Sequence, residues 1–328
     1  MTLENSHNGR QTPPRRRKMA GSPLPRYETL MATAELRKGY LLGLITFSIW
    51  GMFPLYFKSI EQYAALEIVT QRAIWSALFG TLVLMLWRHP GWWQELLAHP
   101  RRIGVLMISS VLIATNWLIY VWAVNHNHML EASLGYYINP LVNVLLGLIV
   151  LRERLRPLQW LAVAMAAVGV LLQLVTLGDF PWVSIVLALS FGSYGLLRKQ
   201  APVAALPGLV VETWLLLPIA LGWLFFFGSG PSTQWSFWTQ PEALWLVAAG
   251  PVTLLPLLCF NAAARHLPYS TLGFLQYITP TLLLILAVWV FNEPFPRDRQ
   301  LAFICIWAGL AVYSYDAWRL MRKVPVVS

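Results

Sequence analysis

From Tyr40 onward the chain alternates long apolar runs with short polar gaps. Each run is close to the ~20 residues with which a helix crosses the hydrocarbon core of a bilayer. The pattern predicts ten helices, over 40–57, 70–87, 103–124, 130–151, 157–176, 181–197, 207–227, 243–264, 270–291 and 299–318. Ser184, Ser190, Ser193 and two glycines dilute the sixth, which leaves a nine-helix reading open. Either count makes this an all-α integral membrane protein.

Within the pattern one unit occurs twice. Tyr137-Ile138-Asn139-Pro140 returns as Tyr277-Ile278-Thr279-Pro280, and the same offset of 140 residues relates Leu146 to Leu286, Val150 to Val290, Glu153 to Glu293 and Gly169 to Gly309. Each copy reads as an apolar helix broken near its start by proline, a polar turn with a glutamate, and a second apolar helix ending in small residues. Self-similarity at a fixed period is settled before any other fold signal. Five helices per copy is an odd number, so the second copy enters the membrane from the opposite face. The expected architecture is ten transmembrane helices in two inverted five-helix repeats, residues 38–177 and 178–320. A disordered basic tail at 1–37 and a short tail at 321–328 are both expected in the cytoplasm. Inverted repeats allow two tilts of one bundle around a midplane site.

Composition sharpens the class. The 328 residues are 57% hydrophobic and only 12% charged, with 17 tryptophans, whereas soluble domains carry about a quarter charged residues. A formal charge of +10 suggests nucleic acid, but the basic residues form short runs between apolar stretches instead of a patch on a soluble domain, so nucleic acid is excluded as a partner. With the N-terminus inside, all but Lys58, Arg72, Arg297 and Arg299 of the 24 lysines and arginines fall on the cytoplasmic side. Nine helices would reverse the sign of every later loop, which favours ten. The N-terminal stretch holds Arg15-Arg16-Arg17-Lys18 and no apolar run long enough for a signal-peptide core, and Met19 or Met31 could serve as the start. Cys259 and Cys305 lie in apolar segments and read as small hydrophobes.

No phosphate-binding glycine loop, paired-histidine metal spacing or nucleophile motif is present, so neither enzymatic activity, cofactor nor metal is expected. His126 and His128 read as loop residues. The informative residues are polar groups inside apolar runs, which face a cavity or a partner. Arg72 and Glu212 are again 140 apart. They read as a structural ion pair or as helix-end snorkelling, or else as gating or coupling charges. Near the proline breaks stand Tyr136, Asn139, Asn143, Gln276 and Tyr277, with Asn116 and Tyr120 in the third run and Tyr194 in the sixth. These eight are the candidate substrate contacts. Interhelical hydrogen bonds and aromatic belts at the membrane surface are the plainer alternatives. Glu153 and Glu293 read as members of charge-paired turns beside Arg152, Arg154 and Arg297. The spacing of Ala162, Ala166 and Gly169 suits close helix approach, within the bundle or at a homodimer seam.

The run 116–125, opening Asn116-Trp117-Leu118-Ile119-Tyr120, resembles the RarD group of the EamA branch of the drug/metabolite transporter superfamily. The run 130–143 with Gly135-Tyr136-Tyr137-Ile138-Asn139-Pro140, the run Glu212-Thr213-Trp214, and the run 270–278 with Leu275-Gln276-Tyr277-Ile278 resemble it too. The resemblance covers about residues 38–320. It implies a ten-helix permease of the bacterial inner membrane that exports amino acids, metabolites or drugs, and the RarD label carries an association with chloramphenicol. One departure concerns the glutamate turn, which in the family follows glycine but here follows Arg152 and Asn292. The expected function is secondary transport of a small organic solute such as an amino acid, a metabolite or an amphenicol-type drug, by alternating access. A membrane enzyme acting on a lipid-linked substrate, and a passive pore or structural partner, are the alternatives from other classes.

Overall fold

The computed structural model describes residues 26–87, 90–126, 128–177, 180–292 and 297–323, and among them all regular structure is helical. The first half comprises α1 (Arg26–Gly51), its short continuation α2 (Phe53–Lys58), α3 (Ala65–Trp87), the short α4 (Trp92–Leu97), α5 (Pro100–Asn125), α6 (Met129–Ile149) and α7 (Pro157–Leu177). The second half comprises α8 (Trp182–Gln200), α9 (Ala205–Phe227), α10 (Ala243–His266), α11 (Tyr269–Gln276), α12 (Ile278–Ile285) with a π-helical turn over Leu286–Val290, and α13 (Arg297–Lys323).

Among the described residues, nine spans are long and apolar enough to cross a membrane. Helix α8 is the tenth long helix, and its burial explains why its run looks dilute. Most of it packs against α5, α6 and α10, so Ser184, Ser190 and Gly192 are buried in protein. Lipid-facing helices need apolar side chains all round their outer face; an enclosed helix needs small ones that let neighbours approach.

Contacts between helices come in matched sets. Helix α1 packs on α10, α11 and α12, and α8 packs on α5 and α6; α3 meets α10 as α9 meets α5. Three pairs bring together helices at equivalent positions: α3 with α9, α6 with α11, and α7 with α13. The last of these runs antiparallel through four small residues. A Cβ on Gly169 would lie 2.7 Å from the Ala302 carbonyl oxygen, and one on Gly309 2.8 Å from that of Ala162. Ala162, Ala166 and Ala302 are fully buried, so this stripe is spent inside the bundle and not at a dimer seam.

Four features depart from the sequence expectations. Helix α1 starts at Arg26, inside the stretch expected to be disordered, and residues 1–25 lie outside the described residues. Extending an existing helix costs far less than nucleating one, and Glu35 is held 2.7 Å from His266 Nδ1. Helix α3 starts at Ala65, which places Arg72 two turns inside it. Helix α6 runs unbroken through Pro140, whereas the second copy breaks at Tyr277 and puts Pro280 in the first turn of α12, where a missing N–H needs no partner. Glu293 lies outside the described residues.

The fourth feature is the turn that departs from the family's glycine. Arg152 and Asn292 both take left-handed backbone, φ 54° and φ 53°, so the geometry that glycine would favour is kept by residues that tolerate it less well. Arg152→Gly is therefore expected to stabilise the fold by about 0.5–1 kcal/mol, with a smaller gain for Asn292→Gly because asparagine visits this region more readily. Denaturant unfolding in detergent measures both, and an unchanged midpoint for Arg152→Gly would show that the turn is unstrained.

Candidate functional site

Helices α6 and α11 cross at the middle of the bundle with almost nothing between their backbones. A Cβ on Gly273 would sit 2.7 Å from the Pro140 carbonyl oxygen. There Asn143 Nδ2 donates to Gln276 Oε1 at 2.7 Å, with both residues buried. Amides in an apolar interior require partners, and this pair satisfies only part of them. Asn143 Oδ1 and Asn139 Oδ1 are buried without a partner among the described residues. Thr279, the repeat equivalent of Asn139, is satisfied by donating to the Phe47 carbonyl at 2.9 Å. Tyr277 is turned away from this crossing: its hydroxyl donates to the Tyr137 carbonyl at 3.4 Å, and its ring is buried with Phe274 and Phe303 toward α7 and α13.

A second cluster surrounds Arg72. Its Nε donates to Thr253 Oγ1 at 2.9 Å, and its guanidinium carbon stands 4.8 Å from the centroid of the Trp117 ring and 5.8 Å from that of Phe57. The phenols of Tyr136, Tyr56 and Tyr120 lie within reach of its charge. Tyr120 and Tyr136 meet edge to face, centroids 6.4 Å apart. Thus two candidate substrate contacts and one candidate gating charge share a site.

Glu212 belongs to a third, closed cluster. Arg198 Nε lies 3.4 Å from Glu212 Oε1, Ser109 donates to the same oxygen, and the Tyr194 hydroxyl donates to Oε2 at 3.3 Å. Asn261 Nδ2 then donates to Tyr194 Oη at 2.9 Å. The 3.4 Å approach is Coulombic and not a hydrogen bond, since Arg198 Nε and Nη1 have no hydrogen-bond partner and Nη2 donates to the Ala205 carbonyl. Gly208 makes room for the guanidinium: a Cβ there would meet Nη1 at 2.2 Å. Glu212 and Arg72 do not pair with each other.

Asn116 bridges α5 to α8, donating to the Leu187 carbonyl at 3.0 Å and to Ser190 Oγ at 3.1 Å. His128 pairs with Glu131 at 2.6 Å, and both His126 and His128 stack on Trp122. Glu153 is not paired within its turn; it accepts from the backbone amides of Tyr269 and Ser270. Sequence reasoning missed Arg198, Ser109 and Thr253. Arg198 was hidden because it stands at the polar end of its apolar run, where a basic residue reads as part of a loop. Ser109 and Thr253 are single hydroxyls in apolar runs and carried no signal.

The family model described as the EamA-like transporter family matches residues 37–175. An uncharacterized transporter of Pseudomonas aeruginosa is 66% identical over 295 residues, covering 90% of this chain and 99% of that protein. Protein RarD of Escherichia coli is 46% identical over 293 residues, 89% of this chain and 99% of its own. The chain belongs to the EamA-like transporter family, in its RarD group. A more distant member, named chloramphenicol-sensitive protein RarD in Pseudomonas aeruginosa, is 33% identical over 294 residues, 87% of this chain and 96% of its own. A crystallised protein only 20% identical shares the fold, with a TM-score of 0.65 over 86% of this chain and 98% of that one. As an EamA-like transporter this chain is a multi-pass membrane protein and a permease, not an enzyme, and it takes a small-molecule solute.

Proposed function

We propose that this EamA-like chain is a secondary carrier that exports a small organic solute across the bacterial inner membrane by alternating access. Its halves, residues 38–177 and 178–320, are related by inversion, with both termini in the cytoplasm. The observation that carries this reading is the antiparallel meeting of equivalent helices. Tyr137 meets Tyr277, Asn143 meets Gln276, and Gly147 lies beside Ser270, so α6 and α11 run in opposite directions through their contact. Paired, exchangeable contacts of this kind support two tilts of comparable energy about one centre. The buried amides of Asn139, Asn143 and Gln276, the first two with an unpartnered oxygen, together with the rings of Tyr136 on α6 and Tyr120 on α5, offer the solute hydrogen bonds and stacking. Asn116, Tyr194 and Tyr277 serve the frame in this conformation, because each is engaged between helices.

Purified protein in proteoliposomes tests the reading, with chloramphenicol and aromatic amino acids as first solutes. Uptake that saturates and responds to a proton gradient supports a carrier, linear uptake a pore. Asn139→Ala and Gln276→Ala are each expected to raise the half-saturating concentration about three- to tenfold, the loss of roughly one net hydrogen bond. Saturable transport that both variants leave unchanged would remove these amides from the solute site.

A further inference from the structure

We propose that Arg72 anchors a carboxylate of the transported solute, so that the cargo is an organic anion, or a zwitterion held by its acid end. The proposal rests on the carrier reading above and adds the chemical class of the cargo.

Among the described residues Arg198 is buried and Arg72 half-buried within the bundle, and of these two only Arg198 has a carboxylate beside it. Arg198 lies against Glu212. Among the described residues no carboxylate pairs with Arg72, although it sits two turns inside α3. The repeat positions 72 and 212 thus carry opposite charges, and the acidic one is neutralised from within. A guanidinium taken from water without an anion is expensive, and such a group in a membrane helix marks a solute or ion path. The ring faces of Trp117 and Phe57 and the Thr253 hydroxyl offset part of that cost. They also fix the plane of the guanidinium and occupy Nε. Its Nη1 and Nη2 make no hydrogen bond among the described residues. Two parallel N–H donors held in one plane match the two oxygens of a carboxylate. Around that fork stand Trp117, Tyr120 and Tyr136, flat and amphipathic, suited to the body of an aromatic or similarly apolar acid.

The contrast with a gating role is testable. A gate charge acts on every solute alike, whereas a carboxylate anchor discriminates an acid from its amide. The full-length protein in detergent is heated with matched pairs at millimolar concentration: benzoate and benzamide, phenylacetate and phenylacetamide, phenylalanine and phenylalaninamide. At least one acid is expected to raise the unfolding temperature by several degrees while its amide does not, since a ligand stabilises the state it binds. Arg72→Gln is expected to abolish that shift. Arg72→Lys, which keeps the charge without the planar fork, is expected to weaken the apparent affinity at least tenfold. If Arg72→Gln folds poorly, the acid-against-amide contrast in the parent protein and the lysine variant decide. Equal shifts from acid and amide, a shift from sodium chloride as large as from any acid, or no shift from any acid would overturn the proposal. Proteoliposome uptake separates the two levels. Saturable uptake without acid preference sinks the anchor and keeps the carrier, whereas linear uptake of every compound sinks the carrier itself.

Discussion

Arg198→Met is expected to destabilise the folded protein by about 3–5 kcal/mol, because it strands the Glu212 carboxylate in an enclosed site. Arg198 is 1% exposed and Glu212 1%, so water replaces neither partner. The donors left to the carboxylate would be the hydroxyls of Ser109 and Tyr194, which do not balance its charge. Adding Glu212→Gln removes the stranded charge, its amide oxygen accepting from one of the two hydroxyls and its amide nitrogen donating to the other, and Arg198→Met/Glu212→Gln is expected to recover most of the loss. The coupling in the double-mutant cycle, read from denaturant unfolding in detergent, should reach about 2 kcal/mol. A loss below about 1 kcal/mol for Arg198→Met, or purely additive variants, would show that the cluster is open to water. The same cycle weighs the roles of the two membrane charges. A pair that is tightly coupled in the resting fold is a structural clamp, which leaves Arg72 as the charge available to a solute.

Much of the architecture could be read in the sequence because duplication writes the same contact twice. The repeat that relates Gly169 to Gly309 and Ala162 to Ala302 makes the two contacts of the α7 and α13 seam equivalent, each glycine meeting the alanine carbonyl of the other copy. Hydropathy located the spans, and its weakest run, α8, proved to be largely enclosed by protein. What stayed hidden follows from the same limit. Hydropathy and charge counting assume that a basic residue at the end of an apolar run lies at the membrane surface, which assigned Arg198 and Lys199 to a loop. In the fold α8 continues to Gln200; Arg198 turns inward over Gly208, and Lys199 Nζ donates to the carbonyls of Ala264 and Leu267 at 2.7 and 2.5 Å. Arg72 and Tyr120 were each legible as polar or amphipathic residues in apolar runs. Their convergence was not, because the phase of α3 against α5 depends on packing that no single run encodes.

Glu153→Ala is expected to cost about 2–3 kcal/mol, and the reason lies in the helix of the opposite half. Helix α11 begins after Pro268, a residue with no side-chain acceptor, so its first amides need an outside partner. Glu153 supplies it: the carboxylate accepts from Tyr269 N at 2.5 Å, from Ser270 N at 2.9 Å and from Ser270 Oγ at 2.6 Å. A carboxylate at a helix start gains from charge-assisted hydrogen bonds and from the helix dipole together. The left-handed turn at Arg152 redirects the chain, and the Glu153 amide is tied to the Gly147 carbonyl at 2.9 Å. Gly147 lacks the Cβ that would lie 2.8 Å from Glu153 Oε2. The end of α6 is thereby fastened to the start of α11. If instead the glutamate served the turn through its neighbouring arginines, replacing Arg152 and Arg154 with glutamine would cost as much as removing Glu153. The cap requires the opposite: the two arginine variants within about 0.5 kcal/mol of the parent in unfolding experiments, and Glu153→Ala well below it. Glu153→Gln, which keeps an acceptor but not the charge, should fall between them.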